Sequence, residues 1–106
     1  MPFPGPDDHN ISLEDAATLT RRYRNAIASS NIIGGLFNAD AVRDLLNQPD
    51  CAGLRYYHGL DSGGKPVLVL VGVTAENVDL FEGTLLEMSV LCPDFCSETN
   101  PLNSNS

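Results

Sequence analysis

The segment from Pro66 to Val73 reads Pro-Val-Leu-Val-Leu-Val-Gly-Val, and it constrains the fold of this chain more than any other stretch. Successive side chains on a strand point to opposite faces. Val67, Val69, Val71 and Val73 therefore share one face, and Leu68, Leu70 and Gly72 the other. A strand that is apolar on both faces lies centrally in its sheet or is covered on both sides. Upstream, Leu54, Tyr56 and His58 alternate with Arg55 and Tyr57, the period of a second strand. Between the two, Asp61-Ser62-Gly63-Gly64 has the composition of a turn. Residues 53–74 are expected to form a β-hairpin. Two strands alone are marginally stable in water, so a third is required.

After Thr74 two patterns compete. Val78, Phe81, Leu85 and Met88 fit a helix, whereas Leu86, Met88 and Val90 fit a strand. Gly83 would weaken a helix at its middle by ~1 kcal/mol relative to Ala. A loop over 75–82 and a third strand near 84–90 are therefore expected.

The N-terminal half has a different period. Ser12 followed by Asp15 resembles a capping box, with Asp in place of the usual Glu or Gln. Ala16, Leu19, Tyr23, Ala26 and Ile27 then recur at helical spacing and predict one apolar stripe on a helix over 13–29. Asn38 or Asp40 can cap a second helix over 39–48, with Val42, Leu45 and Leu46 as its buried stripe and Pro49 as its boundary. Two helices followed by strands give an α+β fold. The two N-terminal helices pack on a small antiparallel sheet of about three strands, with the 53–74 hairpin central. Residues 1–10, rich in proline, read as a flexible arm, 11–96 as a single domain, and 97–106 as a polar tail that frays.

With 106 residues, 42% hydrophobic and 19% charged, the chain can build one core but not two. The net charge of -8 repels phosphate backbones and anionic lipid, so neither nucleic acid nor a membrane is an expected partner. The one basic cluster is Arg21-Arg22-Tyr23-Arg24. On a helix, at about 100° per residue, its arginines spread around the circumference as solvated or ion-paired groups. The longest apolar run, Val67 to Val73, is about a third of the ~20 residues that span a bilayer. Met1 to Asn10 lacks the basic and apolar regions of a secretory signal. Three cysteines, an odd number, cannot all pair, which fits a reducing cytoplasm.

Those cysteines are the most specific candidates for chemistry. Cys92 and Cys96 are spaced C-x3-C rather than the C-x2-C of zinc knuckles and thioredoxin-like sites. Three readings stand side by side. The thiols can be buried small apolar groups. They can form a disulfide that closes a very small loop, stabilises little and is open to reduction. Or they can join Cys51 and His58 in a metal site, if the tail folds back on the hairpin. Arg55, Tyr57 and His58 are the candidates for lining a pocket, and His58 with Asp61 could do acid–base work. A polar hairpin tip explains the same residues. Neither Gly59 to Gly64 nor Gly34-Gly35 is a phosphate loop, because a strand rather than a helix follows the first and G-x-x-x-x-G-K-[ST] occurs in neither. The carboxylates Asp40, Asp44, Asp50, Asp61, Asp79, Glu82 and Glu87 match no cation-binding loop. No catalytic residue and no cofactor is assigned.

Gly53-Leu54-Arg55-Tyr56-Tyr57, the strand ending Val71-Gly72-Val73, Asp79-Leu80 and Cys92-Pro93-x-x-Cys96, together with Ile11-Ser-Leu-Glu-Asp-Ala-Ala, resemble a group of small uncharacterised bacterial proteins. The resemblance covers about residues 11–96. It implies a bacterial, stand-alone, single-domain protein and carries over no activity and no site residue.

The expected function is a non-enzymatic binding or assembly domain that forms a homodimer, since a strongly apolar sheet in so small a chain needs more cover than two short helices supply. The alternatives are a metal- or redox-responsive module using Cys92 and Cys96, and a small enzyme with a pocket near His58 and Arg55. Any further protein or small-molecule partner is left open.

Overall fold

The computed structural model describes residues 8–27, 31–87 and 90–104. Its elements, in chain order, are α1 (Leu13–Ala26), β1 (Gly34–Leu36), α2 (Ala39–Leu46), β2 (Gly53–Leu60), β3 (Pro66–Val73), β4 (Leu85–Leu86) and β5 (Val90–Cys92). The fold is α+β, with two small antiparallel sheets. The chain packs as two compact units, one formed by the described residues between 36 and 87, the other by those of 8–35 and 90–104.

In the first unit the strand order is β2-β3-β4, so the valine-rich strand is central, as its two apolar faces require. β2 and β3 pair antiparallel from Gly53 against Val73 to Leu60 against Pro66. The turn between them is held by Asp61, whose Oδ1 accepts from the N–H groups of Gly63 and Lys65, both at 2.9 Å. Gly64 takes φ 82°, a conformation in which a Cβ would be strained. Burial deepens away from the turn, and Leu70, Val71 and Val73 form the apolar core together with Leu45.

α2 starts where Asn38 accepts from the N–H groups of Asp40 and Ala41. Leu45, wholly buried, anchors it to the sheet. Ala41 and Val42 are half-buried beside it, whereas Leu46 is exposed, so the stripe runs one position N-terminal of the expected Val42–Leu46 line. The turn after α2 packs over the sheet at Gly72. A Cβ at Gly72 would stand 3.0 Å from both Cys51 Sγ and Gln48 Nε2. Glycine is what lets the turn after α2 approach the sheet this closely.

Beyond β3 the chain reverses tightly. Thr74 Oγ1 accepts from the N–H groups of Glu76 and Val78, and Asn77 takes φ 69°. The reversal brings Asp79 into a bridge with Val73. A second turn, with Gly83 N–H donating to the Leu80 carbonyl at 3.0 Å, leads into β4. Gln48 ties the two ends of this region together. Its Nε2 donates to the Leu45 carbonyl and its Oε1 accepts from Thr84 N–H, both at 2.8 Å. The expected third strand near 84–90 is therefore shorter. It pairs with β3 only at Leu85–Leu86, and Val90–Cys92 pairs with β1 in the other sheet. Met88 and Ser89 lie outside the described residues.

In the second unit α1 begins where Ser12 Oγ accepts from Asp15 N–H at 3.0 Å. The helix ends at Ala26, and residues 28–30 of the expected span and its exit lie outside the description. Its best-covered line is Ala17, Thr20 and Arg24, while Leu19 and Tyr23 of the expected stripe are exposed. The reason is Arg24, whose guanidinium donates to the carbonyls of Leu102 and Ser104 at 2.6 and 3.1 Å. The same contacts hold the C-terminal segment that the sequence marks as free to fray. Asn100 and Asn103 bond within that segment, to Ser97, Glu98 and each other. The arm over residues 1–7 lies outside the description. Among the described residues no helix is long and apolar enough to cross a membrane.

Candidate functional site

The three-stranded sheet ends on β2, an eight-residue strand with β3 on one side and no strand on the other among the described residues. At the hairpin turn Asp61 N–H donates to the Lys65 carbonyl. In an antiparallel ladder such bonded pairs alternate with non-bonded ones. The bonded positions of β2 are thus Gly53, Arg55, Tyr57 and Gly59. The N–H and C=O groups of Leu54, Tyr56, His58 and Leu60 point away from β3. Pro66, opposite Leu60, fits this register, because its missing N–H falls at a pair that exchanges no bond across the hairpin.

The side chains of the same four residues share one face. Leu60 is 73% exposed and Tyr56 56%. The rings of Tyr56 and His58 meet edge to face with centroids 5.5 Å apart. Natural edge strands are usually blunted by lysine, proline or inward-pointing charge. β2 has no lysine and no proline, its one charge, Arg55, lies on the opposite face, and it holds no acidic residue in a chain that has 14.

The opposite face of β2 carries a polar cluster. Arg55 donates to Asp79 Oδ1 and to Asn77 Oδ1, and the Tyr57 hydroxyl donates to Asp79 Oδ2. Desolvation pulls the Arg55 pKa down, but the Tyr57 hydrogen bond and the Asp79 charge outweigh it and raise the value above the ordinary one. Asp79, about a fifth exposed, and Arg55, a third exposed, thus satisfy each other. The cluster fastens the turn after β3 onto β2 and leaves the Asp79 carboxylate with both oxygens occupied. A cleft of about 370 Å³ opens beside it, lined by Gln48, Pro49, Asp79, Leu80, Phe81, Glu82 and Gly83.

The residues singled out by sequence are placed as follows. Arg55 and Tyr57 come together around Asp79, while strand alternation sends His58 to the other face, against Tyr56. Asp61 is committed to its turn rather than to His58. Cys51 is a free thiol that donates to the Gly53 carbonyl at 3.2 Å. Cys92 and Cys96 are joined in a disulfide, the second of the three readings, and its sulfurs are not thiolate ligands while bridged. Among the described residues no three His, Cys, Asp or Glu side chains gather as a metal site would need. Sequence reasoning missed Asn77, Asp79 and Gln48 as partners, and missed the outward register of β2. The signal for the last was available, because a turn closed by Asp61 and Gly64 fixes which positions of β2 bond inward. No family model, curated protein or solved structure matches the chain.

Proposed function

We propose that this chain is a non-enzymatic assembly domain in which two copies pair along β2. The observation that carries the reading is the edge itself. Eight residues of extended strand present four outward N–H and four outward C=O groups with no proline to block them, and the strand's one charge, Arg55, lies on the face opposite Tyr56 and Leu60 and is paired with Asp79. Pairing in water must also bury apolar surface, and Leu54, Tyr56 and Leu60 supply it on the same strand. A twofold axis at Tyr57 makes the edge self-complementary. It sets Tyr56 of one copy against His58 of the other and Leu54 against Leu60, with about eight hydrogen bonds formed between the strands. The lack of acidic residues on the strand itself matters, because two chains of net charge -8 repel, and Arg55 offsets the carboxylate of Asp79 beside it. The reading extends to a cytoplasmic location, in keeping with the free thiol of Cys51.

Sedimentation equilibrium over a wide concentration range tests it. The expected result is a mass approaching twice 11.4 kDa, reduced to that of the single chain by Tyr56→Lys. Lysine at 56 places a charge at the centre of the edge without removing any bond of the hairpin. A single-chain mass at every concentration would sink the reading.

A further inference from the structure

The Cys92–Cys96 disulfide has no part in pairing along β2. It joins residues four apart in sequence, with Cα atoms 4.8 Å apart. A cross-link stabilises chiefly by restricting the unfolded chain, and the gain shrinks with the loop it closes. The backbone around this one is already tied. Ile33 N–H donates to the Cys92 carbonyl at 2.8 Å, and Phe95 N–H to the Leu91 carbonyl at 3.0 Å. A structural staple is therefore least needed here. The two cysteines differ in exposure, Cys92 being half-buried in β5 and Cys96 exposed. Exposed disulfides are the exchangeable ones. From Cys92 to Glu98 the chain carries two carboxylates, Asp94 and Glu98, and no cation. Catalytic thiols sit in electropositive surroundings, so this pair suits the receiving end of an exchange rather than its catalyst.

We propose that Cys92–Cys96 is a thiol-exchange site, that its partner is a protein with a Cys-x-x-Cys dithiol, and that Cys96 Sγ is the atom attacked. The partner's thiolate forms a bond to Cys96 Sγ. The Cys92–Cys96 bond breaks, and its electron pair leaves on Cys92 Sγ, which takes a proton. The partner's second thiolate then attacks its own sulfur in the mixed disulfide, and Cys96 leaves as a thiolate and is protonated. Two electrons and two protons pass in all. The partner dithiol is oxidised to a disulfide and both cysteines are reduced to thiols. Cys92 stays in β5 through its bond to Ile33, so opening is confined to the Pro93–Cys96 side. Phe95, 64% exposed next to Cys96, offers the partner an apolar contact.

The test uses the full chain, oxidised in air, and a Cys-x-x-Cys reductase in two forms, intact and with its second cysteine replaced by serine. Maleimide labelling in denaturant should add one label before treatment, at Cys51, and three after treatment with the intact reductase under native conditions. The far-ultraviolet circular dichroism should be unchanged. The serine form should be trapped as a mixed disulfide that peptide mass spectrometry places on Cys96. Cys51→Ser should exchange as the parent does, with two labels after treatment. A bond reduced only in denaturant, or three labels before any reductant, would overturn the site. A trapped adduct on Cys92 would overturn the assignment of the attacked sulfur.

Discussion

Gln48 spans the two regions that frame the cleft, and Gly83 is the residue that makes room for it. A Cβ built at Gly83 would lie 2.2 Å from Gln48 Oε1, far inside contact distance. Gly83→Ala must therefore displace the Gln48 side chain from both of its hydrogen bonds, to the Leu45 carbonyl and from Thr84 N–H. Each such bond contributes about 0.5–1.5 kcal/mol, so the displacement costs about 1–3 kcal/mol. Against this, alanine restricts the unfolded chain and returns about 0.4–1 kcal/mol where the backbone accepts it. The backbone of Gly83 is not in the left-handed region, so that gain applies. Gln48→Ala alone removes the two bonds and should cost a similar amount, about 1–3 kcal/mol. The decisive quantity is the effect of Gly83→Ala when Gln48 is already alanine. With no side chain to displace, the substitution should turn neutral or stabilising by about 0.4–1 kcal/mol. Urea unfolding of the four proteins, monitored by circular dichroism, gives the cycle. If Gly83→Ala is equally destabilising in both backgrounds, the clamp is not what the glycine accommodates, and the reasoning fails.

Three further outcomes follow from the packing and the charges. Leu45 is the one wholly buried large side chain among the described residues, so Leu45→Ala should cost about 2–5 kcal/mol in the same unfolding assay. Asp79→Ala frees Arg55 and Tyr57 together, and should speed amide exchange over residues 74–79 relative to β3, whereas Glu76→Ala, outside the cluster, should not. Asp8 accepts from the backbone N–H of Asn10 at 3.0 Å, which holds its carboxyl below the ordinary aspartate range. A depressed folded-state pKa contributes stability at pH values above the unfolded one, and that contribution is lost as pH falls through the folded value. Side-chain carboxyl chemical shifts should show Asp8 titrating below the ordinary aspartate value, and a titration at or above that value would contradict the contact.

How far the sequence discloses this molecule depends on whether a feature is local. β3 is legible because its period-two pattern is apolar on both faces, and that demands a central position. The Asp61–Gly64 turn and the Ser12 and Asn38 caps are legible because each is set by residues within a few positions. The face of α1 is not. Leu19 and Tyr23 give the stronger stripe by composition, yet the helix is covered along Ala17, Thr20 and Arg24, because Arg24 finds carbonyls 78 and 80 residues away. The extent of the third strand fails for the same kind of reason. β4 stops after two residues, and Val90–Cys92 finds its partner in β1, a choice no local pattern records. At the candidate site, alternation places Arg55 with Tyr57, but Asp79 lies 24 residues from Arg55 and is indistinguishable in sequence from a solvated carboxylate. The cysteines show the limit differently. Their spacing allowed a staple, a ligand pair or two packed thiols, and only the backbone path selects the disulfide.

The account stands on the outward edge of β2, and its amides can be read individually. Leu54, Tyr56, His58 and Leu60 have backbone N–H groups with no partner strand in the single chain among the described residues, whereas those of Arg55 and Tyr57 bond to β3. Residue-resolved amide exchange by NMR, run at a series of protein concentrations, separates the two sets. Pairing along β2 predicts that the four outward amides gain protection as concentration rises, while Arg55 and Tyr57 are protected throughout. Rapid exchange of the four outward amides at every concentration would contradict it.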